Sequence, residues 1–263
     1  MSNHRRAVVA ASLAVALVVP QATVGREATV SIDGQNLHIE TLGAPAPNVV
    51  FEAGLGNDST TWKAVTGPIA EFAHVVTYDR AGLGRSLPMR KRDTPVTAIE
   101  VATRLRALLA ASDIRPPYIL VGHSLGGLYV QMFAQKYPRD VAGVVLLDSS
   151  SADAPDELKT RARLEPGTAA YLEEQGIAES NRQVKAGGPF PDIPVAVIAA
   201  TDHGPFFRKW EPTLMRLQQQ LATLSPQATL IVAQGSGHDV QLDQPATVVD
   251  AVRRIAASAK TPR

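Results

Sequence analysis

Tyr118-Ile119-Leu120-Val121 runs into Gly122-His123-Ser124-Leu125-Gly126, and Gly127-Leu128-Tyr129-Val130-Gln131-Met132-Phe133-Ala134 follows. The order is a short apolar strand, a sharp turn and a helix, with a serine at the apex. Glycines two residues before and after Ser124 remove side chains that would collide in so tight a bend. A serine held in such a turn presents its hydroxyl outward, as a G-x-S-x-G nucleophile elbow requires. A merely glycine-rich βα-loop would share the pentapeptide, so its neighbours along the chain decide the reading.

Those neighbours alternate between strand and helix. Thr29 to Ile32 and Leu37 to Leu42 flank the turn signal Asp33-Gly34 and predict an opening hairpin. Val49 to Glu52, Val75 to Asp79, Val141 to Asp148, Val195 to Ala200 and Thr229 to Val232 read as buried strands. Between them, Thr60 to Phe72, Thr97 to Ala111, Glu211 to Leu224 and Pro245 to Ala259 read as helices. This rhythm implies an α/β domain with a mostly parallel sheet covered by helices on both faces. It breaks between Ser149 and Asp192, a polar stretch punctuated by Pro and Gly in which short helices fit at Asp156 to Leu164 and Thr168 to Gln175. An excursion there, on the side where such sheets bind ligands, reads as a small helical lid.

The chain has 263 residues, 45 % hydrophobic, a size that suits one large domain with a well-buried core. Its net charge is +1 and no basic stripe or RNA-type aromatic motif is visible, which argues against a nucleic-acid partner. Cysteine is absent, so disulfides, a thiol nucleophile, cysteine-bound zinc and a lipoprotein anchor are excluded. No cofactor or metal is called for. At the N-terminus His4, Arg5 and Arg6 precede the apolar run Ala7 to Val19, broken only by Ser12 and ended by Pro20. A basic region followed by a short apolar one predicts a secretory signal peptide over about residues 1–25, with the folded domain at 26–263. The expectation is export without stable membrane insertion; an uncleaved segment acting as a tether is the alternative.

A serine hydroxyl needs a base. Of the six histidines, His4 lies in the leader, His38 and His74 in or beside early strands, and His123 inside the elbow itself. His203 follows Asp202. His238, in Gly235-Ser236-Gly237-His238-Asp239, follows the last strand and so lies at the same sheet edge as the elbow; it is the expected base. The base in turn needs an acid to orient it. Asp202 ends the strand from Val195 and is the favoured acid; Asp148, ending the strand before it, is the alternative. The oxyanion of an acyl-transfer intermediate needs backbone donors. They are expected from Leu125, just after the serine, and from Leu55 in the glycine-rich loop Glu52-Ala53-Gly54-Leu55-Gly56.

Taken together, Phe51 to Gly56, the segment Tyr78-Asp79-Arg80-Ala81-Gly82-Leu83-Gly84-Arg85-Ser86, Gly122 to Gly127, Asp202 and Gly237-His238 resemble the α/β-hydrolase fold family. Their order along the chain is the family order. The Glu-Ala-Gly-Leu-Gly and Tyr-Asp-Arg-Ala-Gly segments look like a group of poorly characterised bacterial hydrolases. The resemblance implies an eight-stranded sheet with its second strand antiparallel and a lid after the sixth. Two departures stand out. Relatives most often begin the oxyanion loop with His-Gly, where this chain has Ala53-Gly54 after Glu52. The strand before Asp202 ends Ala199-Ala200-Thr201 rather than in a glycine-containing turn.

Serine at the apex argues against dehalogenase and epoxide-hydrolase chemistry, whose versions of this fold carry aspartate there. The expectation is an esterase-like serine hydrolase acting on a small to medium acyl ester, with Trp62, Phe206 and Phe207 as candidate apolar walls. A peptidase or amidase on the same triad is the alternative, with Glu173, Glu174 and Arg182 as candidates for binding a peptide terminus. A non-catalytic ligand-binding protein on this scaffold is the third.

Overall fold

Asp33 and Gly34 both take positive φ, 50° and 76°, and join the antiparallel strands β1 (Arg26–Ile32) and β2 (Gln35–Gly43). Two left-handed residues in a two-residue loop match the twist of the strands they connect, which is why Asp-Gly marks a hairpin. The computed structural model describes residues 25–86, 92–158 and 163–259. The leader read at the N-terminus therefore lies, but for its last residue, outside the described residues.

After the hairpin come β3 (Asn48–Glu52), α1 (Lys63–Ala70), β4 (His74–Tyr78), α2 (Ala98–Ala111), β5 (Tyr118–His123) and α3 (Leu125–Lys136). Then follow β6 (Val141–Leu147), α4 (Ala169–Ala186), β7 (Val195–Ala200), α5 (Glu211–Leu221), β8 (Ala228–Ala233), the single turn α6 (Val240–Asp243) and α7 (Pro245–Ala259). The eight strands form one sheet in the order β1-β2-β4-β3-β5-β6-β7-β8. β2 is antiparallel to both its neighbours and every other pairing is parallel. This is the α/β-hydrolase fold that the elbow and its company led us to expect.

The two-residue period of the strands divides the core. On β5, Leu120 joins Leu105, Leu108, Leu128 and Phe133 on one face, under α2 and α3. Ile119 and Val121 join Trp62, Ile69, Val248 and Val252 on the other, under α1 and α7. Strands buried on both faces read as unbroken apolar runs, and these do. With β3 and β5 to β8 parallel, the segments that leave their carboxyl ends converge on one edge. They carry Ala53 to Gly56, Ser124, Asp148, Asp202 with His203, and His238.

Four helices depart from the sequence reading. The helix expected over Thr60 to Phe72 is a 3-10 turn, Ser59–Trp62, capped by Asp58, followed by α1. The helix from Glu211 stops at Leu221 rather than Leu224. The lid segment holds one 18-residue helix, α4, where a short one ending at Gln175 was expected. Where the other lid helix was expected, the described residues hold a 3-10 turn, Asp156–Leu158, and residues 159–162 lie outside the described ones. Gly176 had read as punctuation, yet it sits in the middle of α4 because a Cβ there would lie 1.6 Å from the Val96 carbonyl oxygen. The helix lies directly on the segment that leads into α2: Val96 N–H donates to Leu172 O at 2.9 Å, and Ala98 N–H to Ser180 Oγ at 3.0 Å. An interior glycine costs about 1 kcal/mol of helix propensity, a small loss beside the close packing it permits.

Candidate active site

Ser124 takes φ 52° and ψ −123°, a conformation sparsely populated by any residue but glycine. Its N–H donates to Leu147 O at 3.1 Å, and its carbonyl accepts from Gly127 N at 3.0 Å and Ser150 N at 2.9 Å. These bonds hold the strained turn between β5 and β6. The glycines around it are packing requirements. A Cβ on Gly122 would lie 2.7 Å from Gly126 O, and one on Gly126 would lie 2.2 Å from Glu52 O. The elbow read from the sequence is thus present, with the Glu52–Gly56 loop pressed against it. A Cβ on Gly54 would be 3.3 Å from Ser124 Cβ.

His238 lies against His123, the residue before Ser124. The His123 Nε2 donates to the His238 carbonyl oxygen at 3.0 Å, and the two rings lie 4.7 Å apart. Burial pushes His123 down to about 4, with the field of His238 acting in the same sense, so at neutral pH it is an uncharged donor. Sequence reasoning gave His123 no part because it cannot reach back to its neighbour's hydroxyl. Its task is different: it fixes the backbone that carries His238.

The acid on His238 is Asp148, which corrects the expectation of Asp202. His238 Nδ1 donates to Asp148 Oδ2 at 2.6 Å. Asp148 has φ 37°, its N–H donates to Ile198 O at 2.8 Å, and its Oδ1 accepts from Ala200 N at 3.2 Å. The carboxylate is therefore turned across the end of β7 toward the loop after β8. Asp202 instead is exposed, and its Oδ1 accepts from Gly204 N at 3.1 Å, closing a local turn. The departure Ala199-Ala200-Thr201 was the sequence signal that this strand end differs from the usual one.

His203 completes the cluster and was missed. Its Nε2 donates to Asp148 Oδ2 at 2.7 Å and its Nδ1 to Glu211 Oε2 at 2.9 Å. Burial works against ionising Asp148, but hydrogen bonds from His203 and His238 outweigh it and hold the carboxyl well below the usual carboxylate range. Asp148, His203 and His238 stand close enough on distance alone to share a cation. The fit is poor. Metal–ligand bonds of ~2 Å set neighbouring ligand atoms about 3 Å or more apart, whereas these contacts are 2.6 and 2.7 Å charge-assisted hydrogen bonds.

The loop after β3 has an unusual support. Arg80 Nη1 donates to Ala53 O at 2.8 Å and to Glu52 Oε1 at 2.7 Å, while Nη2 donates to Gly54 O at 2.7 Å. The same guanidinium meets Glu173 of α4 through Nε at 2.6 Å and Nη2 at 3.0 Å, and Glu173 Oε2 accepts from Gly56 N at 3.0 Å. The Tyr78 hydroxyl donates to Glu52 Oε2. All three charged groups are buried. Burial pushes the Glu52 carboxyl up against the opposing pull of Arg80. Glu52 and Arg80 together hold the backbone of this loop. Among the described residues no acceptor takes the Leu55 N–H, and Leu125, as the first residue of α3, has no intrahelical acceptor for its own.

Trp62 is fully buried against Phe51 at 4.9 Å and His123 at 6.4 Å, so it is core rather than a pocket wall. Phe206 is 69 % exposed in the loop after His203, with the Phe207 ring 5.3 Å from it. Glu173 is consumed by Arg80, and Arg182 pairs with Glu179 one turn away on α4. Among the described residues no helix is long and apolar enough to cross a membrane.

The model of the alpha/beta hydrolase family matches residues 49–176, which span the Glu52–Gly56 loop, the Ser124 turn and the first part of α4. The uncharacterized protein YqjL of Bacillus subtilis (strain 168) is 33 % identical over 229 residues, covering 83 % of this chain and 87 % of that one. A putative carbamate hydrolase RutD from Pseudomonas syringae pv. syringae is 26 % identical over 245 residues, 80 % of this chain and 93 % of the other. Several other curated relatives are matched over about half their length or less. Among solved structures, a thermophilic esterase from Thermogutta terrifontis superposes with TM-score 0.64 at 22 % identity over 91 % of this chain and 99 % of that one, a likeness of fold. The chain belongs to the α/β-hydrolase family.

Proposed function

We propose that the protein is a serine hydrolase that cleaves small to medium carboxylic esters through an acyl-enzyme. The observation that carries this reading is the 2.6 Å contact of His238 Nδ1 with Asp148 beside the Ser124 elbow. With Nδ1 donating to Asp148, the His238 ring keeps the lone pair of Nε2 for a proton. Nε2 takes the Ser124 proton as Oγ attacks the acyl carbon, and Asp148 stabilises the imidazolium that forms. The negative charge moves to the carbonyl oxygen, where the amides of Leu55 and Leu125 receive it. His238 then protonates the leaving alcohol. In the second half it takes a proton from water, which attacks the acyl carbon and releases the acid and Ser124.

An ester is favoured over a peptide because Glu173, one candidate for holding an ammonium terminus, is already bound to Arg80 and Gly56. The substrate is a small molecule, and the apolar segment at residues 7–19 supports export of the protein. The test is stoichiometric labelling of Ser124 by a fluorophosphonate, lost in Ser124→Ala. It is paired with turnover of p-nitrophenyl esters of increasing acyl length beside carbamates and aminoacyl-anilides. A folded protein that takes no label refutes the serine mechanism; faster turnover of anilides than esters refutes the ester preference.

A further inference from the structure

Both ring nitrogens of His203 face carboxylates, Asp148 at 2.7 Å and Glu211 at 2.9 Å. An ionised carboxylate only accepts, so each contact requires an N–H, and an imidazole that carries both is a cation. Glu211 grips the residue twice, since the His203 backbone N–H donates to Glu211 Oε1 at 2.8 Å. The side chain is only 7 % exposed and its ring lies 6.1 Å from that of His238. We propose that His203 is a positioning residue of the hydrolytic site, an imidazolium clamped by Glu211 that fixes the Asp148 carboxylate and weakens its hold on a proton at His238. The effect on turnover rests on the Ser124–His238–Asp148 reading; the charge of the ring does not.

The groups around His203 support a fixed charge. Asp148 comes from the end of β6, Glu211 from the first turn of α5, and His238 from the loop after β8. His123, at the end of β5 beyond His238, is neutral, and Asp202 is turned outward to Gly204. Burial opposes a charge on His203, but the hydrogen bond and attraction of Asp148, and then those of Glu211, outweigh it and hold the ring at about 9. Asp148 Oδ2 thus accepts from two imidazoles and Oδ1 from the Ala200 amide. The carboxylate cannot rotate away from His238. Its charge is also shared. A cation already beside Oδ2 competes with His238 for the charge of Asp148.

The test uses the whole protein with 15N-labelled histidine, as wild type, His203→Gln and Glu211→Gln. Glutamine at 203 can still donate to Asp148 but carries no charge. Ring NMR of the wild type should show two N–H groups on His203 at neutral pH and loss of one near 9. Glu211→Gln should lower that midpoint by about one pH unit. His203→Gln should move the rising limb of kcat/KM upward by about 0.5–1 pH unit, with thermal unfolding read in parallel to confirm the fold. A singly protonated His203 ring at neutral pH overturns the proposal, as does a rising limb that His203→Gln leaves in place. Should His203→Gln fail to fold, the ring midpoint in Glu211→Gln decides. Absence of fluorophosphonate labelling would defeat the hydrolytic reading separately, while the ring measurement still decides the charge.

Discussion

Arg80 Nη2 donates to the carbonyl oxygen of Gly54 at 2.7 Å, so a buried cation after β4 holds the floor of the site by its backbone. A guanidinium can do this because its planar fork serves two carbonyls and two carboxylates at once; an ammonium cannot. Arg80→Lys is therefore expected to lower kcat on an activated ester by about tenfold or more, with KM changed less than about threefold, because the Leu55 amide is displaced only where the oxyanion forms. Steady-state kinetics on a variant shown to be folded checks this; an unchanged kcat would mean that the loop holds its own shape.

Glu173→Ala leaves the same guanidinium short of a counter-charge inside the protein. Breaking a buried pair by removing one partner costs about 3–5 kcal/mol. Urea unfolding should show a loss of that order, far larger than for Glu179→Ala on the exposed pair with Arg182, where about 0–1 kcal/mol is at stake.

The assignment of the acid separates two variants. Asp148→Asn should reduce kcat by up to about 10⁴-fold, the loss expected when a base is held in the wrong tautomer. Asp202→Asn should leave kcat within about threefold, since its side chain only closes the turn at Gly204. Parallel kinetics on the two proteins reads the difference directly, and the reverse ranking would restore Asp202.

The charged cluster also links stability to pH. His203 is raised in the folded state to about 9, so its contribution is complete below the unfolded value of roughly 6.5 and disappears as pH rises through about 9. Asp148 is lowered, so its contribution is present above roughly 3.9 and is lost as pH falls below that. Denaturant unfolding across pH 7 to 10 should show a decline of about 2–3 kcal/mol that His203→Gln abolishes. A flat profile in the wild type would contradict a cationic His203.

Gly176→Ala tests the seat of α4. On an exposed helix the change would stabilise, but here the new methyl would fall 1.6 Å from Val96 O. A loss of about 1–3 kcal/mol in unfolding free energy is expected in place of a gain of about 1.

Much of this molecule was legible in its residues. Apolar runs such as Val195 to Ala200, the Asp33-Gly34 turn and the Ser124 elbow are local signals with local causes, and each strand fell close to its place. The sheet edge that carries Ser124 and His238 was readable, because chain position fixes sheet position there. The reading failed at Asp148 against Asp202. Both end adjacent parallel strands, and only the φ of 37° at Asp148 and the turn at Gly204 decide which carboxylate looks toward His238. His203, Glu211 and Arg80 act through partners from distant parts of the chain, which no spacing rule reveals. Gly176 misled because a glycine that breaks a helix and one that admits a neighbour look alike in sequence.

The acid on α4 has a consequence for how such a protein can diversify. Exchange of the insertion between β6 and β7 is the obvious way to change what the cleft admits. In this chain a swapped insertion without a carboxylate at position 173 would also loosen the Glu52–Gly56 loop, which Glu173 holds directly and through Arg80. Phe206, exposed and packed only edge-on against Phe207 among the ring contacts of the described residues, is freer to change.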